Sequence, residues 1–436
     1  MPSERSEPDR PSERSDIADP ALAEAGDARI GWARRAMPVL GLIGDRFAAE
    51  RPLRDLTVAA CLHVTAETAV LIRTLRAGGA RVLLAASNPL STQDDTAAAL
   101  AREAGISVFA RAGVDRDTYY DHIRAAVAPG PDLVVDDGGD LANTLHTERP
   151  DLLAKVRGGC ESTTTGVIRL RRMAAASALA FPVVAANDTP ARRMVDNTCG
   201  TGQSVVDGLL RATNTLLAGK TVVVAGFGAC GQGIASRIRG LGGQVIVTEI
   251  DPVRALDAVL QGFRVLPMVV AAAIGEIFVT ATGSRDVITA EHLVIMPDGV
   301  LLANAGHFDV EIDVRALDRL AVAVNPEVRP HTDEYVLADG RRLLLLAAGR
   351  VVNLVAAEGH PAAVMDLSFG IQALALAWLA GAGRRSPGAD VLPGVHEVPP
   401  TIDAEVARLK LASLGTQIDA LTPDQREYLA SWQQGS

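Results

Sequence analysis

The chain has 436 residues, of which 48% are hydrophobic, and a net charge of −10. That length suggests two or three domains with a sizeable core, and the acidic balance (pI about 5.4) excludes a nucleic-acid backbone as partner. Cys61, Cys160, Cys199 and Cys230 are scattered without metal-ligand spacing and read as reduced thiols of a cytoplasmic protein.

Residues 1–28 begin MPSERSEPDRPSERSD, which has almost nothing to bury, and are predicted to be a disordered tail. No apolar signal core follows, and no later apolar run reads as long enough to span a membrane, so no membrane partner is expected. Across 29–190 the short apolar runs LTVAACLHV, ARVLLAAS, ISVFAR and DLVVDDGG alternate with helical periods such as ETAVLIRTLRAG. This is the pattern of a parallel α/β sheet, where function collects at the strand carboxyl ends. A mostly helical segment near 188–220 leads into a second α/β region, 203–358, with GKTVVVAG, QVIVTEID, EIFVTATG, GVLLANAG and RLLLLAAG. Residues 362–395 are expected to complete the first domain, and 396–436 to form a helical extension with an Asp or Thr-Pro start in each half. The expected fold is α/β, with two doubly wound parallel-sheet domains.

In VVVAGFGACGQGIAS, the glycines of Gly226-x-Gly228-x-x-Gly231 flank Ala229 and Cys230 between an apolar strand and a helical pattern. Such glycines allow a tight turn, close approach of a pyrophosphate, and close helix–strand packing. The helix start then offers amide donors to the phosphates. Alone the motif also fits a structural turn. Glu249 ends the next strand about 20 residues on, where a carboxylate binds both ribose hydroxyls and repels a 2′-phosphate. NAD is therefore the expected cofactor, rather than NADP.

Polar residues cluster at the strand ends of the first region. His63, Thr65, Glu67, Asn88, Gln93, Asp94, Asp137 and Asp140 could share one cleft, although an Asp after a strand more often caps a helix. His307 and His360 follow apolar runs of the second region. No third ligand has suitable spacing, so no metal is expected.

With HVTAETAVLIRTL, SNPLSTQDD, DDGGDL, ESTTTGV, GFGACGQG, VTEIDP, GHFDVEID and GHPAAVM in place, the chain resembles the S-adenosyl-L-homocysteine hydrolases from about residue 29 to 430. The resemblance implies transient NAD-dependent oxidation of a nucleoside 3′-hydroxyl. The ketone acidifies C4′–H, the 5′ group leaves, water adds to the alkene, and the ketone is reduced again. It further implies that His63 and Asp137 handle protons at the 5′ leaving group and that Asp196 lies by the 3′-hydroxyl and C4′–H. Thr65 and Glu67 would meet adenine, His307 the ribose and nicotinamide, and His360 the base; Phe369 would also line the substrate. Thr163, Thr164, Thr165, Asn197, Glu249, Thr282 and Asn353 would join the glycine loop at the cofactor. A homo-oligomer, a tetramer, is implied as well.

The chain departs from the family pattern at four places. Ser162 stands where the family has a glutamate that binds the sugar hydroxyls. Arg192 replaces a lysine that partners the 3′-oxygen, Thr201 replaces a cysteine, and the end SWQQGS lacks a tail that reaches a neighbouring subunit's cofactor. Arginine keeps its charge and a fixed fork of donors where lysine could share a proton. Ser162 and Arg192 together suggest a pocket rebuilt for another sugar. The expected activity is a nucleoside dehydratase or lyase that stops at the 4′,5′-alkene, for example on psicofuranosyladenine. The alternatives are ordinary hydrolysis of S-adenosyl-L-homocysteine and a non-catalytic NAD-binding regulator.

Overall fold

The structure is a computed structural model and describes residues 15–306, 308–382 and 391–432. Its strands are β1 (Asp16–Ile17), β2 (Thr57–Leu62), β3 (Arg81–Ala86), β4 (Ile106–Ala110), β5 (Leu133–Asp136), β6 (Gly158–Glu161), β7 (Pro182–Ala185) and β8 (Thr221–Ala225). They continue with β9 (Gln244–Thr248), β10 (Arg264–Val265), β11 (Ile277–Thr280), β12 (Val300–Asn304), β13 (Ala321–Arg329), β14 (Thr332–Leu337), β15 (Arg342–Leu346) and β16 (Gly394–Glu397).

The first sheet runs β1-β4-β3-β2-β5-β6-β7-β16 and is parallel throughout. Alternation along β2 sends Val58, Ala60 and Leu62 into one apolar cluster and Ala59 and Cys61 into another, so both faces are covered. The helix Ala362–Ala382 fills the first of these clusters. Its stretch Ala362–Gly381 is 20 residues long with a mean hydropathy of 1.6, long and apolar enough to cross a membrane, which corrects the sequence expectation. That stretch is 72% buried inside the fold, as suits a core helix. Its fully buried Asp366 accepts from the amides of Val39 at 3.2 Å and Leu40 at 2.9 Å and from Lys410 Nζ at 3.1 Å. Chain segments before and after the second sheet thus pack into one core.

Half of the expected tail is ordered. Residues 1–14 lie outside the described residues, but Asp16–Ile17 pairs with β4 and Ala23–Arg35 is a helix. That helix buries Ala23, Gly26, Ile30 and Ala33. It crosses the helix Asp94–Ala101 so closely that a Cβ on Gly26 would lie 1.9 Å from the Asp95 carbonyl oxygen. The charged composition hides these few apolar positions.

The second sheet runs β10-β9-β8-β11-β12-β15-β14-β13. It is parallel from β10 to β15, and β14 and β13 add an antiparallel edge that periodicity did not reveal. Between the sheets, Pro190–Thr213 is helical, with a π-helical stretch at Arg193–Gly200. It meets the helix Ala229–Gly240 at two glycines: a Cβ on Gly202 would lie 2.6 Å from the Gly233 carbonyl carbon, and one on Gly233 2.0 Å from Thr198 O. Only hydrogen at both positions lets the connector lie against the loop's helix.

Candidate active site

Strand order in the first sheet reverses between β2 and β5, where an open α/β sheet leaves a crevice at its carboxyl end. His63 follows β2 and Asp137 follows β5, so both border that crevice. His63 Nδ1 lies 2.6 Å from Ser91 Oγ. Burial, with the nearby His360 adding to it, pushes the ring down to about 4, so it is neutral at neutral pH. Ser162 is buried just beyond β6; its hydroxyl donates to Asp137 Oδ1. Thr65 and Glu67 stand half-buried at the start of the helix Ala66–Ala77.

Other polar residues of these strand ends have structural partners. Asn88 accepts from Leu90 N at 2.9 Å, Gln93 from Ala66 N at 3.0 Å, and Asp94 from Ala112 N at 2.9 Å. Asp140 accepts from Tyr119 Oη at 2.9 Å and Arg169 Nη1 at 2.6 Å. They shape the loops.

The π-helical stretch assembles the second group. The Thr201 amide donates to the Asp196 carbonyl, five residues back, and widened turns of this kind recur at functional sites. Arg192 Nε donates to Asp196 Oδ2 at 3.0 Å, and Ser368 Oγ donates to the same oxygen at 2.8 Å. His360 Nδ1 lies 2.9 Å from Asp196 Oδ1, and its Nε2 lies 3.1 Å from Thr201 Oγ1. Burial alone would raise the Asp196 carboxyl. The Arg192 guanidinium, with hydrogen bonds from His360 and Ser368, holds it well below the usual carboxylate range. Arg192 is itself buried, and its Nη1 has no hydrogen-bond partner. A buried guanidinium nitrogen left without a partner is costly and is suited to a ligand oxygen. Asn197 lies in the same stretch, half-buried.

At the glycine loop, Gly226 has φ +93°, and a Cβ on Gly231 would lie 1.9 Å from Gly226 O. Around Gly228 the nearest atom to an added Cβ is Arg254 Nη1 at 3.6 Å, so the loop keeps open space there. Ala229 and Cys230 begin the helix whose N-cap is Gly228. Glu249 accepts from the amides of Phe227 at 2.7 Å, Ile250 at 2.7 Å and Asp251 at 3.0 Å. Burial works against its charge, but those amides keep its carboxyl below the ordinary value. The open space at Gly228 and the ionised Glu249 beside the loop fit a pyrophosphate and a ribose diol.

Thr163 caps the helix Thr164–Ala175 and donates to Glu161 Oε1 at 2.7 Å; Thr164 Oγ1 accepts from Asn187 Nδ2 at 2.8 Å. Thr165 lines a cavity of about 520 Å³ that runs to Arg172, Met173, Gly283 and Phe308, between the helix Thr164–Ala175 and the loops after β11 and β12. Asn353 Nδ2 donates to Ser204 Oγ at 3.0 Å, while its buried Oδ1 has no partner. Phe369, expected at the substrate, is packed within the apolar core of the first sheet. His307 lies outside the described residues.

Sequence reasoning missed the residues that hold these loops. Glu311, 1% exposed, accepts from Thr282 N at 3.0 Å, Thr282 Oγ1 at 2.7 Å and Gly283 N at 2.8 Å. Asn304, fully buried, donates to Phe308 O at 2.8 Å and Gly349 O at 3.0 Å, and accepts from Gly306 N at 2.7 Å. Ser91 and Ser368 were likewise not singled out as partners of His63 and Asp196.

Two family models match the chain: S-adenosyl-L-homocysteine hydrolase over residues 14–151, and the NAD-binding domain of that hydrolase over residues 197–359. The chain belongs to the S-adenosyl-L-homocysteine hydrolase family. It is 55% identical to an adenosylhomocysteinase of Aquifex aeolicus over 421 residues, 97% of this chain and 99% of that protein. It is 52% identical to an S-inosyl-L-homocysteine hydrolase of Methanopyrus kandleri over 420 residues, 96% of this chain and 98% of that one. It is also 52% identical to an adenosylhomocysteinase of Saccharolobus solfataricus, covering 96% of this chain and 99% of that protein. Membership makes the chain an NAD-dependent enzyme, as its glycine loop and Glu249 suggested.

Proposed function

We propose that the chain hydrolyses S-adenosyl-L-homocysteine to adenosine and homocysteine. The observation that carries this reading is the cluster of buried Arg192 and Asp196, on the connector that packs against the helix of the glycine loop, with half-buried His360 bonded to Asp196 from the far end of the chain. NAD, when bound, supplies a hydride acceptor for the nucleoside 3′ carbon. Arg192 Nη1 meets the 3′-oxygen and steadies the negative charge that builds there as its proton passes out by way of the Asp196 carboxylate. Asp196 orients Arg192 and His360 and stands ready at the 3′,4′ edge for the acidified C4′ proton. Neutral His63, steadied by Ser91, relays to the 5′ leaving group the proton released at C4′ and later takes one from the entering water; Asp137 shares that duty through its bond with Ser162.

Glu67 supports adenine over hypoxanthine. A carboxylate accepts from a 6-amino group, whereas a 6-oxo group would set acceptor against acceptor. A second reading retains the dehydratase. Ser162 leaves the sugar's C1′–C2′ edge without a second carboxylate, and Arg192 offers an unmet donor to an added hydroxyl. The relatives' names favour the hydrolase. Purified protein supplied with NAD and offered S-adenosyl-L-homocysteine, S-inosyl-L-homocysteine or psicofuranosyladenine, with products read by mass, separates the readings. Homocysteine from the adenosyl substrate supports the hydrolase, and loss of water from the nucleoside alone supports the dehydratase.

The same reading includes a homotetramer. The helix Pro423–Ala430 is fixed by a capping box between Thr422 and Gln425 yet buries nothing, and Ile418, Leu429 and Trp432 are exposed. Helix Pro252–Leu260 exposes Val253, Leu256 and Leu260 as well. Apolar surface of this kind suits contact with other copies. Light scattering at micromolar concentration tests it, and a monomer would refute it.

A further inference from the structure

Beneath the crevice lies a pair of acids that the chemistry above does not use. Asp136 and Glu161 are register partners across β5 and β6 and are 2% and 0% exposed. In a parallel ladder, register partners point to the same face. Glu161 Oε1 accepts from Gly138 N at 3.0 Å, Thr163 N at 2.8 Å and Thr163 Oγ1 at 2.7 Å. Asp136 Oδ2 accepts from Ala142 N at 3.0 Å. The remaining oxygens, Asp136 Oδ1 and Glu161 Oε2, are buried without a hydrogen-bond partner. Two ionised carboxylates on adjacent strands, each with an orphan oxygen, would be costly on two counts, the buried charges and the missing donors. One proton removes both costs, since it turns two orphans into a donor and an acceptor.

We propose that Asp136 and Glu161 share one proton at working pH, and that this acid–carboxylate pair is the clamp that positions Asp137 and Ser162. Glu161 joins the loop after β5, through Gly138, to the loop after β6, through Thr163. Those two loops carry Asp137 and Ser162, whose mutual bond spans the same gap. There is little slack, because a Cβ on Gly166 would lie 2.2 Å from the Glu161 carboxyl carbon. Both carboxyls are displaced upward by burial, Asp136 further by the charge of Glu161 and Glu161 by that of Asp137. The other ionisable groups facing the pair are Cys61 on β2, Asp140 with its partners Tyr119 and Arg169, Cys160 on β6, and Arg192 beyond it. The thiols are pushed up by burial, so they carry no charge here. Loss of the shared proton at alkaline pH sets two carboxylates against each other and parts the strand ends.

The positioning role rests on the proposed duty of Asp137, but the proton itself does not, and two measurements keep them apart. Infrared spectra of wild type against Glu161→Gln and against Asp136→Asn, at neutral pH, read the proton directly. Each amide donates where the proton did and keeps its carbonyl for the backbone amides, so both variants are expected to fold. A protonated-carboxyl band present in wild type and lost in both variants is expected. Its absence from wild type, or its survival in either variant, overturns the shared proton. The second measurement is the pH profile of turnover, after normalising for melting temperature. Glu161→Gln should keep activity within about threefold at neutral pH and shift the alkaline fall of wild type upward by at least about one pH unit, since an amide has no proton to lose. An alkaline limb identical in wild type and variant overturns the clamp. If no substrate is turned over at all, the proposed function fails while the infrared result still stands.

Discussion

Arg192 and Asp196 lie four residues apart where the connector helix widens, and they form a buried pair at 3.0 Å whose second guanidinium nitrogen stays unmet. Neither group could be buried there alone, so each fixes the other. Arg192→Ala should leave Asp196 charged with only Ser368 and His360 as partners, lower stability by about 3–5 kcal/mol, and abolish turnover. Arg192→Lys keeps one cation and should lose much less. Urea unfolding beside an activity assay checks both, and an Ala variant as stable as wild type would contradict the pairing.

Asp196→Asn tests the chemistry apart from the cofactor. Its amide can still accept from Arg192, so NAD should bind with unchanged affinity while elimination from any nucleoside falls by at least about a thousandfold. Retained solvent exchange at C4′, followed by deuterium incorporation, would remove Asp196 from that step.

The glycine loop separates binding from folding. Gly228→Val meets little protein, so melting temperature without NAD should hold within a few degrees while NAD binding is lost. Gly231→Ala puts a Cβ 1.9 Å from Gly226 O and should destabilise the protein by about 1–3 kcal/mol or more besides. Calorimetry with and without NAD reads both. Equal behaviour of the two variants would show that the space at Gly228 is not where the pyrophosphate passes.

His63 sets an acid limit. Its folded value of about 4 lies below the ordinary 6.5, so above pH 6.5 the ring is neutral in both states and contributes no pH dependence. As pH falls from 6.5 towards 4, the unfolded chain takes up a proton that the folded chain refuses. Stability should drop by about 3 kcal/mol over that window. His63→Gln cannot charge and should flatten this part of the curve. Melting temperatures between pH 4 and 7 for both proteins give the comparison, and parallel curves would place the sensitivity elsewhere.

Glu311 is a support with no expected contact of its own. Glu311→Ala removes three hydrogen bonds to Thr282 and Gly283 and should weaken NAD binding roughly tenfold or more. Fluorescence titration measures it, and unchanged affinity would mean that the Thr282 loop does not meet the cofactor.

What the sequence determined by itself was whatever depends on near neighbours. Apolar runs that alternate with helical periods specify a parallel α/β chain, because a strand buried on both faces must be apolar along its length. The glycine spacing and Glu249 about 20 residues on specify NAD, because one βαβ unit contains the whole motif. The tertiary structure alone decided what comes together from afar. His360 and Ser368 reach Asp196 across more than 160 residues because the chain returns to the first sheet after completing the second. No local pattern marked the wide turn at Arg193–Gly200, the ordered strand at Asp16–Ile17, or Phe369 turned into the core. Each follows from which surface another segment covers. Asp136 and Glu161 read singly as strand-end acids, and only their register across β5 and β6 makes them a pair, since burial and the loss of hydrogen-bond partners are properties of the packed sheet.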